Sequence, residues 1–288
     1  MRAGHSSAAA ARAAPPGRQS AVVPDLTLRP LGLIEEYRAC VALQKSTWEE
    51  DGETVPVSLF VAASHVGGLA LGAYDAHETL LGFVFGLAGA DARGALHWSH
   101  MLAVRADVRG AGIGRALKER QRAELARRGV DRIAWTFDPL QARNAHLNIN
   151  RLGARVVEYV DDMYGVTRSP LHLGIATDRL VVMTGPGAIP APVHAATKAD
   201  GLPIFTLPEL GGAPLAEPTT AALLVEVPWE IEEVFASDVA LALRWRHATR
   251  RHFHFALEHG YSVSGLIRDQ AARRAYYHFS DAPHPEPR

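Results

Sequence analysis

The sequence predicts an α/β (α+β) protein. Three observations carry that expectation. From Thr27 to Tyr164, apolar segments of strand length alternate with segments whose apolar residues recur at helical spacing. Two short apolar runs flank Asp75-Ala76-His77-Glu78, the pattern of a hairpin. A third apolar run, Leu96 to Val104, feeds through an arginine and three glycines straight into a long basic helix. The chain has 288 residues, 48% hydrophobic and 21% charged, the balance of an ordinary soluble globular protein.

The elements follow in order. Thr27 to Leu31 reads as a first strand, and Ile34, Tyr37, Val41 and Trp48 mark one face of a first helix, with Cys40 beside it as core filler. Leu69 to Tyr74 and Leu80 to Leu87 form the hairpin, and Ala95 to Val104 is the fourth strand. Gly114 to Arg128 is a helix with Ile113, Leu117 and Leu125 inward and a charged outer face, ended by Gly129. Val130 to Phe137 is a fifth strand. Asp138 then reads as a cap, Pro139 as the first helical residue and Gln141 as the box partner of a helix reaching Leu152, where Gly153 stops it. Arg155 to Val160 is a sixth strand. The order is β-α-β-β-β-α-β-α-β.

The expected organisation is a disordered tail at 1–25, a core at 26–165, a strand with a Gly/Pro-rich connector at 166–220, and an α/β module at 221–288. In that module a strand (Ala222 to Val227), a helix (Trp229 to His259) and two strands (Ser262 to Ile267, Ala275 to Phe279) echo the front half of the core. It is either an extension that completes a substrate pocket or a degenerate second copy.

Composition removes several function classes. A formal net charge of −1 and a pI of about 6.9 argue against a general nucleic-acid binder. Cys40 is the single cysteine, which excludes an intrachain disulfide and a Cys-rich zinc site. His252 and His254 have no acidic or cysteine partner at ligand spacing, so no metal is expected. No apolar run is long enough for a membrane span, and the first 25 residues lack the apolar stretch of a signal peptide, so a cytoplasmic protein is expected.

The chemistry concentrates at Arg109-Gly110-Ala111-Gly112-Ile113-Gly114. Glycines let the backbone approach a ligand, and the first amides of the following helix point at it with the positive end of the dipole behind them. Arg109 adds a positive charge. A P-loop would need Lys-Ser/Thr after the glycines, which is absent. A dinucleotide fingerprint would need a third small residue where Leu117 stands, and an acidic residue closing the next strand, whereas Asp131 precedes it. The pattern Arg/Gln-x-x-Gly-x-Gly/Ala fits Arg109, Gly112 and Gly114. A helix start that binds nothing is the bland alternative.

That loop, with Leu102-Ala103-Val104 before it and Asn144 after it, resembles the coenzyme A loop of the GNAT (N-acetyltransferase) superfamily. The resemblance covers about half the chain. It implies the GNAT fold, a mixed and mostly antiparallel sheet split between its fourth and fifth strands, and transfer of an acyl group from acetyl-CoA or another acyl-CoA to an amine. It implies that the backbone of Leu102, Ala103 and Val104 meets the pantetheine arm and thioester, that Arg109 to Gly114 with Arg115 holds the pyrophosphate, and that Asn144 and Asn148, four apart on the next helix, contact the cofactor. The segments Ser99-His100-Met101-Leu102, Phe137-Asp138-Pro139-Leu140, Arg143-Asn144-Ala145, Thr177-Asp178-Arg179, Trp245-Arg246 and Gly260-Tyr261 resemble a bacterial subgroup of predicted acyltransferases linked to amino-acid N-acylation, including N-succinylation. A small-molecule amine substrate, acetyl- or succinyl-CoA as co-substrate, no metal and a possible homodimer follow from that likeness.

One departure stands out. The usual general acid of these enzymes is a tyrosine four residues before the helix-ending glycine, and here that position is Ile149. Tyr164 or water is left to replace it. His97 and His100 lie on the fourth strand, on opposite faces by alternation, with His100 expected to share a face with Leu102 and Val104. His100 is a candidate proton acceptor or a structural histidine, and Ser99 is a weaker candidate from the other face. Arg143, Arg179 and Arg246 are candidates to meet a substrate carboxylate, because the guanidinium fork matches its geometry; each could equally be a structural ion pair.

Overall fold

A computed structural model describes residues 25–48, 54–165, 175–185, 201–211 and 220–281. Nearly all of the expected tail and much of the connector lie outside the described residues. Seven strands form one sheet in the order β1-β2-β3-β4-β5-β7-β6. They are β1 (Thr27–Pro30), β2 (Leu69–Tyr74), β3 (Leu80–Asp91), β4 (Gly94–Val104), β5 (Ile133–Phe137), β6 (Arg155–Val160) and β7 (Arg179–Thr184). β4 and β5 are parallel and every other neighbouring pair is antiparallel. The fold is therefore α/β with a mixed, mostly antiparallel sheet.

Helices cover both faces. α1 (Ile34–Trp48) and α2 (Val57–His65) pack one face through Tyr37, Cys40, Phe60 and Ala63 against Phe83, Phe85 and Ala103. α3 (Ile113–Arg127) and α4 (Ala142–Ala145) lie on the other, against Leu69, Leu71, Val84, Ile133, Trp135 and Phe137. Burying each such Leu or Phe is worth about 1.5–3 kcal/mol. α2 is not legible as a periodic segment: it follows Pro56, has no side-chain cap, and is apolar at most positions.

Three expectations about the core are corrected. The boundary at 165 falls too early, because β7 lies inside the sheet between β5 and β6 and completes it. The helix after β5 does not begin at Pro139 under an Asp138 cap. Helix starts at Ala142, while Asp138 accepts from the Leu140 amide at 2.8 Å and from Arg246 Nη2 at 2.6 Å. A guanidinium from 108 residues downstream takes the carboxylate oxygen that the Leu140 amide leaves open. After Ala145 the helix widens to a π-helix, His146–Arg151, with Leu152 N bonded to Leu147 O.

The C-terminal module forms a second sheet, β10-β11-β9-β8, from β8 (Ile204–Phe205), β9 (Ala222–Pro228), β10 (Ser262–Asp269) and β11 (Arg274–Ser280). The single expected helix is two, α5 (Ile231–Ser237) and α6 (Val239–Glu258), broken where Asp238 accepts from Leu241 N to cap α6. The order β-α-α-β-β repeats that of the front half, but the pairing does not. β1 neighbours β2, whereas β9 neighbours β11. That difference favours an extension over a second copy.

The module docks on the core through one row of α6. Arg246, Arg250 and His254, spaced four apart, bond Asp138, Asp178 and Asp161 respectively. Tyr277 donates to Pro139 O at 2.8 Å. Asn150 of the π-helix donates to Leu266 O and accepts from Leu266 N, pairing with β10 as a strand residue would. Residues of both sheets share one continuous buried cluster.

Candidate active site

β4 and β5 pair at His97–Ile133 and Trp98–Ala134, with His97 N also bonded to Arg132 O at 2.9 Å. Beyond Trp98 their ladder stops, while β4 runs on to Val104 and β5 to Phe137. The sheet is split there, between its only parallel neighbours among the described residues.

The loop after β4 lies at the open end of the split. Gly110 and Gly112 have φ of +93° and +85°, a backbone that L side chains rarely adopt, and an added Cβ on either would meet nothing within 4 Å. The loop is thus shaped by conformation and is open on its outer side. Gly112 is the N-terminal flanking residue of α3, with no side-chain cap, and the helix bonds begin at Ala116 N to Gly112 O. Amides ahead of Ala116 are directed out of the helix end. Gly114 seats the helix on β4: a Cβ there would lie 3.3 Å from Leu102 and 3.8 Å from Val104. Arg109 Nε donates to Val104 O, fixing its guanidinium beside the strand end. Arg115, one turn in, is exposed and bonds Glu119 at 2.7 Å. These residues fit a pyrophosphate: a wide-open cradle, helix-end amides and two cations.

β4 carries a bulge at the mouth of the split. Phe85 faces Met101 and Leu87 faces Trp98, so Ser99 and His100 together oppose Gly86. The bulge corrects the expected faces. Leu102 and Val104 face α3, but His100 lies on the opposite side, its ring edge-on to Phe85 at 6.4 Å. It is exposed, and partial desolvation lowers its pKa below the usual imidazole value. His97 is on the α3 face as alternation requires, fully buried over Gly86, and burial depresses it to about 4.

On the α3 face a polar chain crosses the floor of the split. Lys118 Nζ donates to Ser99 Oγ at 2.7 Å, Ser99 donates to Gln121 Oε1 at 2.8 Å, and Gln121 Nε2 meets His97 Nε2 at 3.2 Å. Neither Lys118 nor Gln121 belongs to a charged outer face, as the sequence had suggested. Gln121 stands in the buried row of Leu117 and Leu125, at i, i+4 and i+8, a signal that a helical projection could have revealed. Ser99 is accordingly committed to this chain.

The remaining candidates separate. Asn148 is buried and accepts from Trp135 Nε1 at 3.0 Å, while Asn144 is exposed; the π-widening has taken residues four apart off one face. Ile149 is buried. The Tyr164 hydroxyl is exposed and 3.2 Å from Thr136 Oγ1. Trp135 and Phe137 face α3, so Thr136 and Tyr164 lie on the His100 side by alternation. Arg246 and Arg179 both approach Asp138, at 2.6 and 3.8 Å, and Arg179 lies over the Tyr164 ring. Arg143 is exposed on α4. Among the described residues no cluster of metal-ligating side chains occurs, and no helix is long and apolar enough to cross a membrane.

No family model and no curated protein matches the chain. Solved structures do. The ribosomal-protein-S18-alanine N-acetyltransferase from Escherichia coli is 18% identical over 56% of this chain and 93% of its own, with a TM-score of 0.45. A GNAT superfamily phosphinothricin acetyltransferase from Sinorhizobium meliloti, in complex with acetyl-CoA, is 16% identical over 56% and 88%, with a TM-score of 0.46. Mutant forms of the spermidine/spermine N-acetyltransferase from Vibrio cholerae are 15% identical over 56% and 94%, with a TM-score of 0.45.

Proposed function

We propose that this protein is an acyl-CoA-dependent N-acyltransferase of the GNAT type, moving an acetyl or succinyl group to the amine of a small metabolite, an amino acid or a close relative. The observation that carries this reading is the split between β4 and β5 with the open loop of Gly110 and Gly112 at its end. The helix-end amides of α3, Arg109 and Arg115 would hold the pyrophosphate, and the β4 backbone from Leu102 to Val104 would take the pantetheine arm. Bound there, the coenzyme supplies an activated thioester.

Acyl transfer also needs a neutral amine, donors for the oxyanion and a proton for the thiolate. His100 and Tyr164 lie on the face away from α3, so the amine would enter from that side. His100, whose pKa partial desolvation lowers, is the side chain on that face that would accept the amine proton. With Ile149 apolar, Tyr164 beside Thr136 is the nearby hydroxyl that could protonate the thiolate. Arg179, which lies over the Tyr164 ring, is the arginine that would meet an amino-acid carboxylate, while Arg246 is buried against Asp138. Release of free thiol from acetyl- and succinyl-CoA, measured across a panel of amino acids, polyamines and short peptides, tests the reading. Turnover with an amino acid supports it, and turnover only with peptides would replace it with peptide N-acetylation. The buried Ile149 also favours a second reading, an acyl-CoA-binding sensor. Tight CoA binding with no turnover on any amine would establish that instead.

A further inference from the structure

The chain contains 30 lysines and arginines, of which only Lys45, Lys118 and Lys198 are lysines. Arginine never surrenders its proton in a protein; a desolvated lysine does. One of these three is placed in the site. The stem of Lys118 is half-buried, and its Nζ turns inward, 2.7 Å from Ser99 Oγ and 4.2 Å from the centre of the Trp135 ring. Ser99 belongs to β4 and Trp135 to β5, so the amine bridges the two strands at the floor of their split. Burial pushes its pKa down to about 7. The charged groups around it are Arg115, Glu119 and Arg122 on α3 and Arg151 at the end of the π-helix, with the neutral His97 reached through Gln121. A cavity of about 110 Å³ opens beside the amine, walled by Trp135, Gln121, Leu152 and Thr184. One water occupies about 30 Å³ of liquid, so a short acyl group fits.

We propose that Lys118 Nζ is an internal acyl acceptor that takes a short acyl group from an acyl-CoA bound in the split. The nitrogen attacks the thioester carbonyl, a C–N amide bond forms, the C–S bond breaks, and CoA leaves as the thiol carrying the proton lost by the amine. No other reactant is needed. The acyl group stays on Lys118, in the adjoining cavity, and the amide N–H still donates to Ser99 while a desolvated cation is removed. The inference rests on the acyl-CoA reading above.

The test is incubation of the full chain with isotope-labelled acetyl-CoA, with peptide mapping of each lysine over time, beside calorimetric titration with CoA. Lys45 is exposed and serves as the internal reference. Lys118 should label about tenfold faster or more at neutral pH, since about half of it is deprotonated there and almost none of an ordinary lysine is. Its rate should be half-maximal near pH 7, while that of Lys45 keeps rising with pH. Excess unacylated CoA, and separately Arg109→Glu, should suppress labelling of Lys118 and spare Lys45. If CoA binds but Lys118 labels no faster than Lys45, or labels regardless of competing CoA, the proposal is overturned and the acyl-CoA reading survives. If CoA does not bind, both fall.

Discussion

Asp138→Ala should release the C-terminal module from the core. The Asp138 carboxylate accepts from Arg246 Nη2 at 2.6 Å, and the Arg246 side chain is only 4% exposed. Its Nε and Nη1 already make no hydrogen bond. Removing the carboxylate leaves a buried guanidinium without its counter-ion, a change that typically costs about 3–5 kcal/mol. With a urea slope of about 3 kcal/mol per molar, the unfolding midpoint should fall by about 1–1.7 M. Circular dichroism and tryptophan fluorescence would report it, Trp135 for the core and Trp245 for the module. Asp138→Ala combined with Arg246→Met should recover most of the loss, since replacing a buried pair by apolar groups is often neutral. A midpoint shift below about 0.3 M, or a double variant as unstable as the single one, would refute the assignment of this pair as the clamp between core and module.

Three further outcomes are expected. His97 and His252 are both buried and depressed to about 4. The unfolded chain binds more protons between about 6.5 and 4, so stability should fall across that window by up to about 1.4 kcal/mol per pH unit for each group. Melting temperatures measured along it should drop, and His252→Gln should flatten the slope; a level profile would contradict the burial of these rings. Asn150→Ala loses both bonds to Leu266 and should cost about 1–3 kcal/mol in the same urea assay, with hydrogen exchange rising first in β10. His100→Ala should lower kcat by about a hundred- to ten-thousand-fold with unchanged CoA affinity, and near-normal turnover with an unaltered pH profile would make His100 structural.

The strands, the hairpin and the loop were legible because each is a local pattern: apolar runs either side of the turn between β2 and β3, glycines at positive φ, and helical spacing along α3. What escaped depends on residues far apart in the chain. β7 joins the sheet by pairing with β5, some forty residues earlier, and nothing in Arg179 to Met183 announces that neighbour. Asp138 has a capping sequence, but Arg246 makes its carboxylate part of a buried ion pair. A one-residue bulge opposite Gly86 reversed the faces of everything on β4 beyond it, moving His100 away from Leu102 and Val104. Gly86 is required there, since a Cβ would lie 2.6 Å from Trp98 O and closer still to His97. Lys118 looked like one more surface cation because a charged residue on a basic helix is usually solvated. Only the strand split shows where its amine goes.

The loop at Gly112 carries the central claim, and calorimetric titration with CoA tests it most directly. Gly112→Glu places a carboxylate at the N-terminus of α3, where it favours the helix dipole but repels a pyrophosphate. The positive φ costs about 1–2 kcal/mol, small enough for the fold to persist by circular dichroism. The account predicts saturable binding of CoA to the natural chain and none detectable to the folded Gly112→Glu variant. Equal affinity in the two proteins would contradict it.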